Sequence, residues 1–259
     1  MATSFDHPLI RKLESIAPVQ EDEKAAIVAL PVTLKKLKKE QDIVREHDRP
    51  SQCCLVIEGF LFRYKVVPSG KRQILSFYIP GDIPDLQSLH LERMDHNIGS
   101  LGPSKVAFIK HETLRAFLHA HPRIGDVFWR DTLIDAAVFR EWMVGLARRD
   151  AYARIAHLFC EFFVRLRAVG LTEAEGYGLP ITQAILGDAL GLSTVHVNRS
   201  LQSLRRSGLI RMRNGRVNIT NWEGLQEAGE FDPTYLHLKR KFPTRAEAEQ
   251  SNEPRTTSR

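Results

Sequence analysis

Between Pro180 and Trp222, six arginines (Arg199, Arg205, Arg206, Arg211, Arg213 and Arg216) stand against one acid, Asp188. Guanidinium groups at that density can neutralise phosphates, and a well-placed arginine grips a guanine edge through two hydrogen bonds. A solvated basic face with no ligand is the competing reading, so charge alone does not decide. The residues between the arginines narrow the choice. Thr182 is placed to cap one helix, with Ile185, Leu186 and Leu190 facing inward, and Gly191 suits the left-handed residue of a tight turn. Ser193 is placed to cap a second helix whose inner positions Val197, Leu201 and Leu204 follow helical spacing, and Gly208 ends it. Thr194, Val195, His196, Asn198, Arg199 and Gln202 are then turned outward near the helix start, where a recognition helix meets base edges. Asn214-Gly215 between Leu209–Met212 and Arg216–Thr220 predicts a hairpin wing. Helix, turn, basic helix and hairpin in this order imply a winged helix-turn-helix. Its base-reading set would be Thr194, Val195, Asn198 and Arg199. Its phosphate-binding set would be Thr182, Ser193, His196, Arg205, Arg206, Arg213 and Arg216.

Those residues need a scaffold, and 259 residues is enough for two domains. The N-terminal part begins with a helical stretch from Leu9 to Leu30, broken by Pro18. Short apolar segments follow between turn residues: Cys53–Ile57 before Glu58-Gly59, Phe60–Val67 before Pro68-Ser69-Gly70, Gln73–Ile79 before Pro80-Gly81-Asp82, then Lys105–Ile109. Such spacing predicts a small β-roll or barrel rather than alternating βαβ units. From Pro122 a long helix carries apolar residues on two faces, one expected against its own domain and one against a second copy. Val127, Ile134, Val138, Phe139 and Trp142 are the expected dimer contacts. Its stripe lapses at Ala147, Arg148, Arg149 and Asp150, the expected hinge, with Asp150 as a fresh N-cap. The domain reading is therefore 1–121 for the sensor, 122–147 for the dimer helix, 148–229 for the DNA-binding domain and 230–259 for a partly disordered extension. Charge follows the same division: residues 148–259 hold 17 Lys and Arg against 12 Asp and Glu, whereas residues 1–147 are nearly balanced.

Other constellations carry less. His119-Ala-His121 has the spacing of a barrel metal site, but Pro122 follows and no glutamate stands nearby, so no metal is expected. Cys53 and Cys54 on a strand point to opposite faces, and Cys160 lies between apolar neighbours, which suits buried, unreactive thiols. Lys35-Lys36-Leu37-Lys38-Lys39 reads as a solvated pre-strand segment. No catalytic triad, paired-carboxylate site or phosphate loop can be assembled, so no enzyme is expected. Met1–Ser15 has no apolar signal core, no apolar run reaches the ~18 residues of a membrane span, and three cysteines fit a reducing compartment. A cytoplasmic protein is expected, with no membrane partner. The alternative class is a cupin-like β-barrel metal enzyme or small-molecule binder with an accessory helical domain.

Three stretches carry a family resemblance: Arg149 to Leu158 (Arg-Asp-Ala-Tyr-Ala-Arg-Ile-Ala-His-Leu), Gly187 to Ile210, and the Gly59 and Pro80-Gly81-Asp82 turns. With Trp129–Leu133 and Phe231–Leu238, they make the chain to about residue 240 similar to transcription regulators of the cyclic AMP receptor protein / fumarate-nitrate regulator (Crp/Fnr) family. The resemblance implies an α+β fold: an N-terminal β-roll like a cyclic-nucleotide-binding jelly roll, a long dimerisation helix and a C-terminal winged helix-turn-helix. It implies a homodimer on palindromic double-stranded DNA, contact with RNA polymerase and an unidentified small-molecule effector. Arg199 matches the position that contacts guanine, and Val195 stands where relatives present a glutamate. The departures argue against two signals. Pro84-Asp85 and approximately His96-Asn97 stand where nucleotide-binding members carry Gly-Glu and Arg-Ser or Arg-Thr, and Phe139-Arg140 replace nucleotide-contacting hydroxyls, so cyclic AMP is not expected. The N-terminal cysteine cluster of the oxygen sensors is missing, so no iron–sulfur cofactor is expected either.

Overall fold

The structure, a computed structural model, describes residues 7–173 and 176–239. Two short helices open it, α1 (Pro8–Ile16) and α2 (Glu21–Val28), separated at Pro18 as the sequence requires. Two antiparallel sheets follow. One orders β1 (Thr33–Leu37), β7 (Ser104–Lys110) and β3 (Gln52–Glu58); the other orders β2 (Asp42–Val44), β6 (Asn97–Ser100), β4 (Leu61–Val66) and β5 (Arg72–Tyr78). Between them Leu37, Val44, Cys54, Val56, Leu61, Ile98 and Val106 form the inner core of the expected β-roll. Strand β3 shows how period-two alternation joins layers: Cys54 and Val56 face inward, while Cys53 and Leu55 pack outward with α1, α3 (His111–Ala120) and α4 (Pro122–Arg148). The lysine-rich segment is itself β1, an edge strand exposed along most of its length with Leu37 buried. Lysines on an edge discourage pairing with another chain, and they also hide the strand from a hydrophobicity-based reading.

Helix α4 is apolar on two sides, but most of the expected dimer contacts are already buried inside the chain. Val127, Ile134, Val138 and Trp142 are buried within their own chain, against α1 and β3 at one end and α5 (Ala151–Ala168) at the other. Phe139 lies beneath the Arg63 guanidinium at 5.3 Å. The outward stripe is Trp129, Leu133, Ala136, Arg140, Met143 and Ala147, in alternating steps of four and three. Trp129, Leu133 and Met143 are 65%, 50% and 69% exposed. The sequence displays both stripes; only the docked β-roll and α5 decide which is inside.

The junction after α4 is braced. The Asp150 side chain accepts from Ala153 N–H, starting α5 afresh. Arg149 turns back to Glu141 at 2.6 Å, and Arg154 donates to the carbonyls of Leu146, Arg149 and Leu190. Ala147 and Arg148 are exposed. Beyond it come β8 (Gly176–Gly178), α6 (Gln183–Leu190), α7 (Thr194–Arg206), β9 (Ile210–Arg213), β10 (Arg216–Ile219) and α8 (Trp222–Ala228). The β8 strand adds a third member to the expected two-stranded wing. Residues 230–239, expected as the start of a disordered extension, carry a 3₁₀ turn at Pro233–Leu236 with Phe231 and Leu236 buried. Residues 240–259 lie outside the described residues. No helix among the described residues is long and apolar enough to cross a membrane.

Candidate nucleic-acid interface

Helices α6 and α7 are set by local chemistry. Thr182 Oγ1 accepts from Ile185 N–H and Ser193 Oγ from His196 N–H, each cap contributing about 1 kcal/mol. Between them Gly191 takes φ +64°, a left-handed conformation that costs glycine nothing. Gly187 is equally constrained: a β-carbon there would lie 2.6 Å from the Leu192 carbonyl oxygen, so only glycine lets the turn fold back on α6. Val197, Ser200, Leu201 and Leu204 bury the inner face of α7. The hairpin after it turns on Asn214 and Gly215, both at positive φ, pairing Arg213 with Arg216.

The outward face follows from that packing. Thr194, Val195, Asn198 and Arg199 are exposed in the first two turns of α7. Val195, at 72% exposure, has no role in the core. Asn198 Nδ2 donates to Gln183 Oε1 at 3.4 Å, so a side chain of α6 orients Asn198 on α7. Gln183 gave no sequence signal, because its role depends on how the two helices cross. His196 Nδ1 lies 3.0 Å from Ser193 Oγ, and both are exposed at the helix start. Arg205, Arg206, Arg211 and Arg213 are exposed too, and with Arg199 their guanidinium groups have no hydrogen-bond or ion-pair partner among the described residues. Arg211 and Arg213 share the outer face of β9, which adds Arg211 to the expected phosphate set. Arg216 differs, because its Nη2 lies 2.9 Å from Glu173 Oε2 and it is only partly exposed. Thr182 and Ser193 spend a lone pair on their caps and keep further hydrogen-bonding capacity.

In the β-roll, the positions that would hold a cyclic nucleotide are engaged within the chain. Arg63 donates to Asp135 of α4 at 3.1 Å and to the Pro84 carbonyl at 2.7 Å, stacked between Tyr78 and Phe139. Asp85 is buried and turns to accept from Cys54 N–H, its carboxyl pushed up to about 7 by burial. His96 lies 2.6 Å from Asp95, and Asn97 accepts from Glu46 N–H. One cavity, lined by Lys12, Arg63, Tyr78, Asp131 and Asp135 among others, has a volume of about 60 Å³, and another, lined by Gln52, Asp85 and Phe108 among others, about 280 Å³. Cys53 and Cys54 are buried, and burial first, then Asp85, pushes both thiols up, Cys53 to about 12. His119 and His121 stand at the end of α3, and no group of three metal-ligating side chains occurs among the described residues.

The sequence matches the model of the Crp-like helix-turn-helix domain over residues 153–228 and that of the cyclic nucleotide-binding domain over residues 34–121. It is 25% identical to the transcriptional activator protein FnrL of Cereibacter sphaeroides, covering 73% of this chain and 78% of that protein. It is also 25% identical to the nitrogen fixation regulation protein FixK of Bradyrhizobium diazoefficiens, over 69% and 74% of the two chains. Among solved structures it resembles FixK2 from Bradyrhizobium japonicum, with a TM-score of 0.70 and 24% identity, covering 77% of this chain and 98% of that one. The chain belongs to the Crp/Fnr family. Crp/Fnr proteins are transcription regulators in which a sensor β-roll is coupled to a DNA-binding helix-turn-helix, and this chain has both parts. In this Crp/Fnr regulator the sensor and reader also touch directly: Arg72 of β5 meets Asp188 of α6 at 2.8 Å, and Gln73 donates to the Ala189 carbonyl. The one acid of the basic segment thus faces the sensor rather than the arginines.

Proposed function

We propose that this Crp/Fnr regulator acts in the cytoplasm as a homodimer, joined along Trp129, Leu133, Ala136 and Met143 of α4, on palindromic DNA. The observation that carries this reading is the set of five exposed arginines on and behind α7 whose guanidinium groups have no partner among the described residues. Arg199 takes a G·C pair through guanine O6 and N7, Asn198 suits adenine, and Val195 offers a methyl contact to thymine where relatives place a carboxylate. Arg205, Arg206, Arg211 and Arg213 hold phosphates, with Thr182, Ser193 and His196 in support at the helix starts. RNA polymerase is the partner through which the bound dimer changes transcription. The effector is a small molecule other than cyclic AMP: Asp85 is turned to Cys54 N–H, and Pro84-Asp85 and His96-Asn97 stand where Gly-Glu and Arg-Ser or Arg-Thr would hold a cyclic nucleotide.

Selection from randomised duplexes tests this. The wild type is expected to enrich an inverted repeat with half-site centres about one helical turn apart, with an affinity that falls steeply with salt. Leu133→Asp should sediment as a monomer and lose the repeat, because each dimer would bury two unpaired charges. Enrichment of no sequence, or a Leu133→Asp protein that stays dimeric, would refute the reading.

A further inference from the structure

Residues 229–239 leave the DNA-binding domain and cross back over the rest of the molecule. Gly229 starts the path: its carbonyl lies 3.0 Å from His157 Nδ1, and a β-carbon at 229 would lie 2.6 Å from the His157 backbone nitrogen. Phe231 packs edge-on against His157, Trp222 and Tyr235. The Tyr235 hydroxyl donates to Glu161 at 2.9 Å and lies 3.1 Å from His157 Nε2; the same Glu161 oxygen accepts from Trp142 of α4. Leu236 is buried, and Leu238 packs against both the core around α5 and the core around α1. The backbone is then tied twice, by Arg130 of α4 donating to the His237 carbonyl at 3.4 Å and by Lys239 N–H donating to Ser15 of α1 at 2.8 Å. One short segment therefore touches the reader domain, the long helix and the N-terminal helix in turn.

From this geometry we propose that residues 229–239 form an intramolecular strap, seated in the groove between α1 and α4, that fixes the orientation of the DNA-binding domain on α4. The readers on α7 are uncovered while the strap is docked, so it does not mask them; it sets their distance and angle relative to the dimer helix. The Arg72–Asp188 pair braces the same domain from the sensor side. A dimer whose two reader domains are held in place meets both half-sites of one spacing without losing further freedom, whereas loose domains lose that freedom on binding. The strap thus makes the regulator selective for half-site spacing. This rests on the two-half-site reading above.

The test uses the full-length protein and three duplexes: the selected palindrome, a single half-site, and the palindrome lengthened by about two base pairs at its centre. Leu236→Asp/Leu238→Asp undocks the strap; Tyr235→Phe removes only one oxygen and keeps the core intact. Undocking should lower palindrome affinity by about tenfold, leave half-site affinity unchanged, and shrink the penalty for the lengthened spacer. Tyr235→Phe should move each quantity the same way by a smaller amount. Backbone hydrogen exchange around Arg130 and Ser15 should rise in both variants. Folded variants with raised exchange that keep the wild-type spacing penalty would overturn the strap alone. A wild type that binds no palindrome would overturn the two-half-site reading and the strap with it.

Discussion

Two groups of cations in this molecule are treated in opposite ways. At the junction of the β-roll, α1, α4 and α5, Lys12 lies between Asp82 and Asp131 at 2.9 and 3.1 Å. Beside it Arg165 spans Asp82 and Glu161 at 3.0 and 3.1 Å, and Arg63 meets Asp135 at 3.1 Å. On and behind α7, Arg199, Arg205, Arg206, Arg211 and Arg213 stand in solvent with no partner among the described residues. Burial works against the charge of Lys12 and Arg165, yet the surrounding carboxylates hold both above their ordinary values. The inner cations are committed to the fold. The outer ones carry no such commitment, and it is pairing, more than residue type, that separates these structural cations from the arginines proposed to bind DNA.

Substitutions should break the two groups differently. Arg165→Met takes from Glu161 the only cation paired with it among the described residues, leaving it two neutral donors, and takes one of two cations from Asp82, so a loss of about 3–5 kcal/mol in folding stability is expected by denaturant titration. DNA affinity per folded molecule should hardly change. Arg199→Ala should do the reverse, costing about 1–3 kcal/mol of binding at one base pair while leaving stability within about 0.5 kcal/mol. A stability loss at Arg199 matching that at Arg165 would erase the distinction.

A further contrast concerns pH. The ordinary value of an Asp carboxyl is 3.8, and burial pushes Asp85 up to about 7. The folded state keeps a proton there that the unfolded chain releases, so the contribution of Asp85 to stability falls as pH rises through that window. His157 has the opposite sign. Burial, then Arg149, holds its imidazole below 6.5 despite Glu161 and Glu141 nearby, so its contribution is present above 6.5 and is lost as pH falls. Asp85→Asn keeps an oxygen for Cys54 N–H and removes the first effect. Its Tm gain over wild type should be larger at about pH 8 than at about pH 4.5; equal gains at both would refute the assignment.

Local chemistry was the legible part of this chain. The caps at Thr182, Ser193 and Asp150 and the turns at Gly191 and Asn214-Gly215 each announce themselves within a few residues, so the reader helix and wing could be traced without coordinates. Strands β1, β2, β6 and β8 could not, because they are short, lysine-bearing or glycine-bearing segments whose pairing comes from distant neighbours. Which stripe of α4 is buried within the chain was misread for a related reason: Val138 and Leu133 are equally apolar-looking positions until the β-roll and α5 claim one side. The sensor interior was the least legible, since Arg63 and Asp135 are 72 residues apart and nothing in either neighbourhood announces the pair.

The brace at Arg154 has a consequence for which amino acids that position can carry. Its guanidinium serves the carbonyl ends of two helices at once, reaching Leu146 and Arg149 behind α4 and Leu190 at the end of α6. A flat fork with five N–H groups can point along three such directions, whereas the ammonium of lysine is a single compact point on a flexible stem. The usual exchange of one positive residue for the other is therefore closed here. Position 154 has an alphabet of one letter, written by the shape of the charge rather than by its sign.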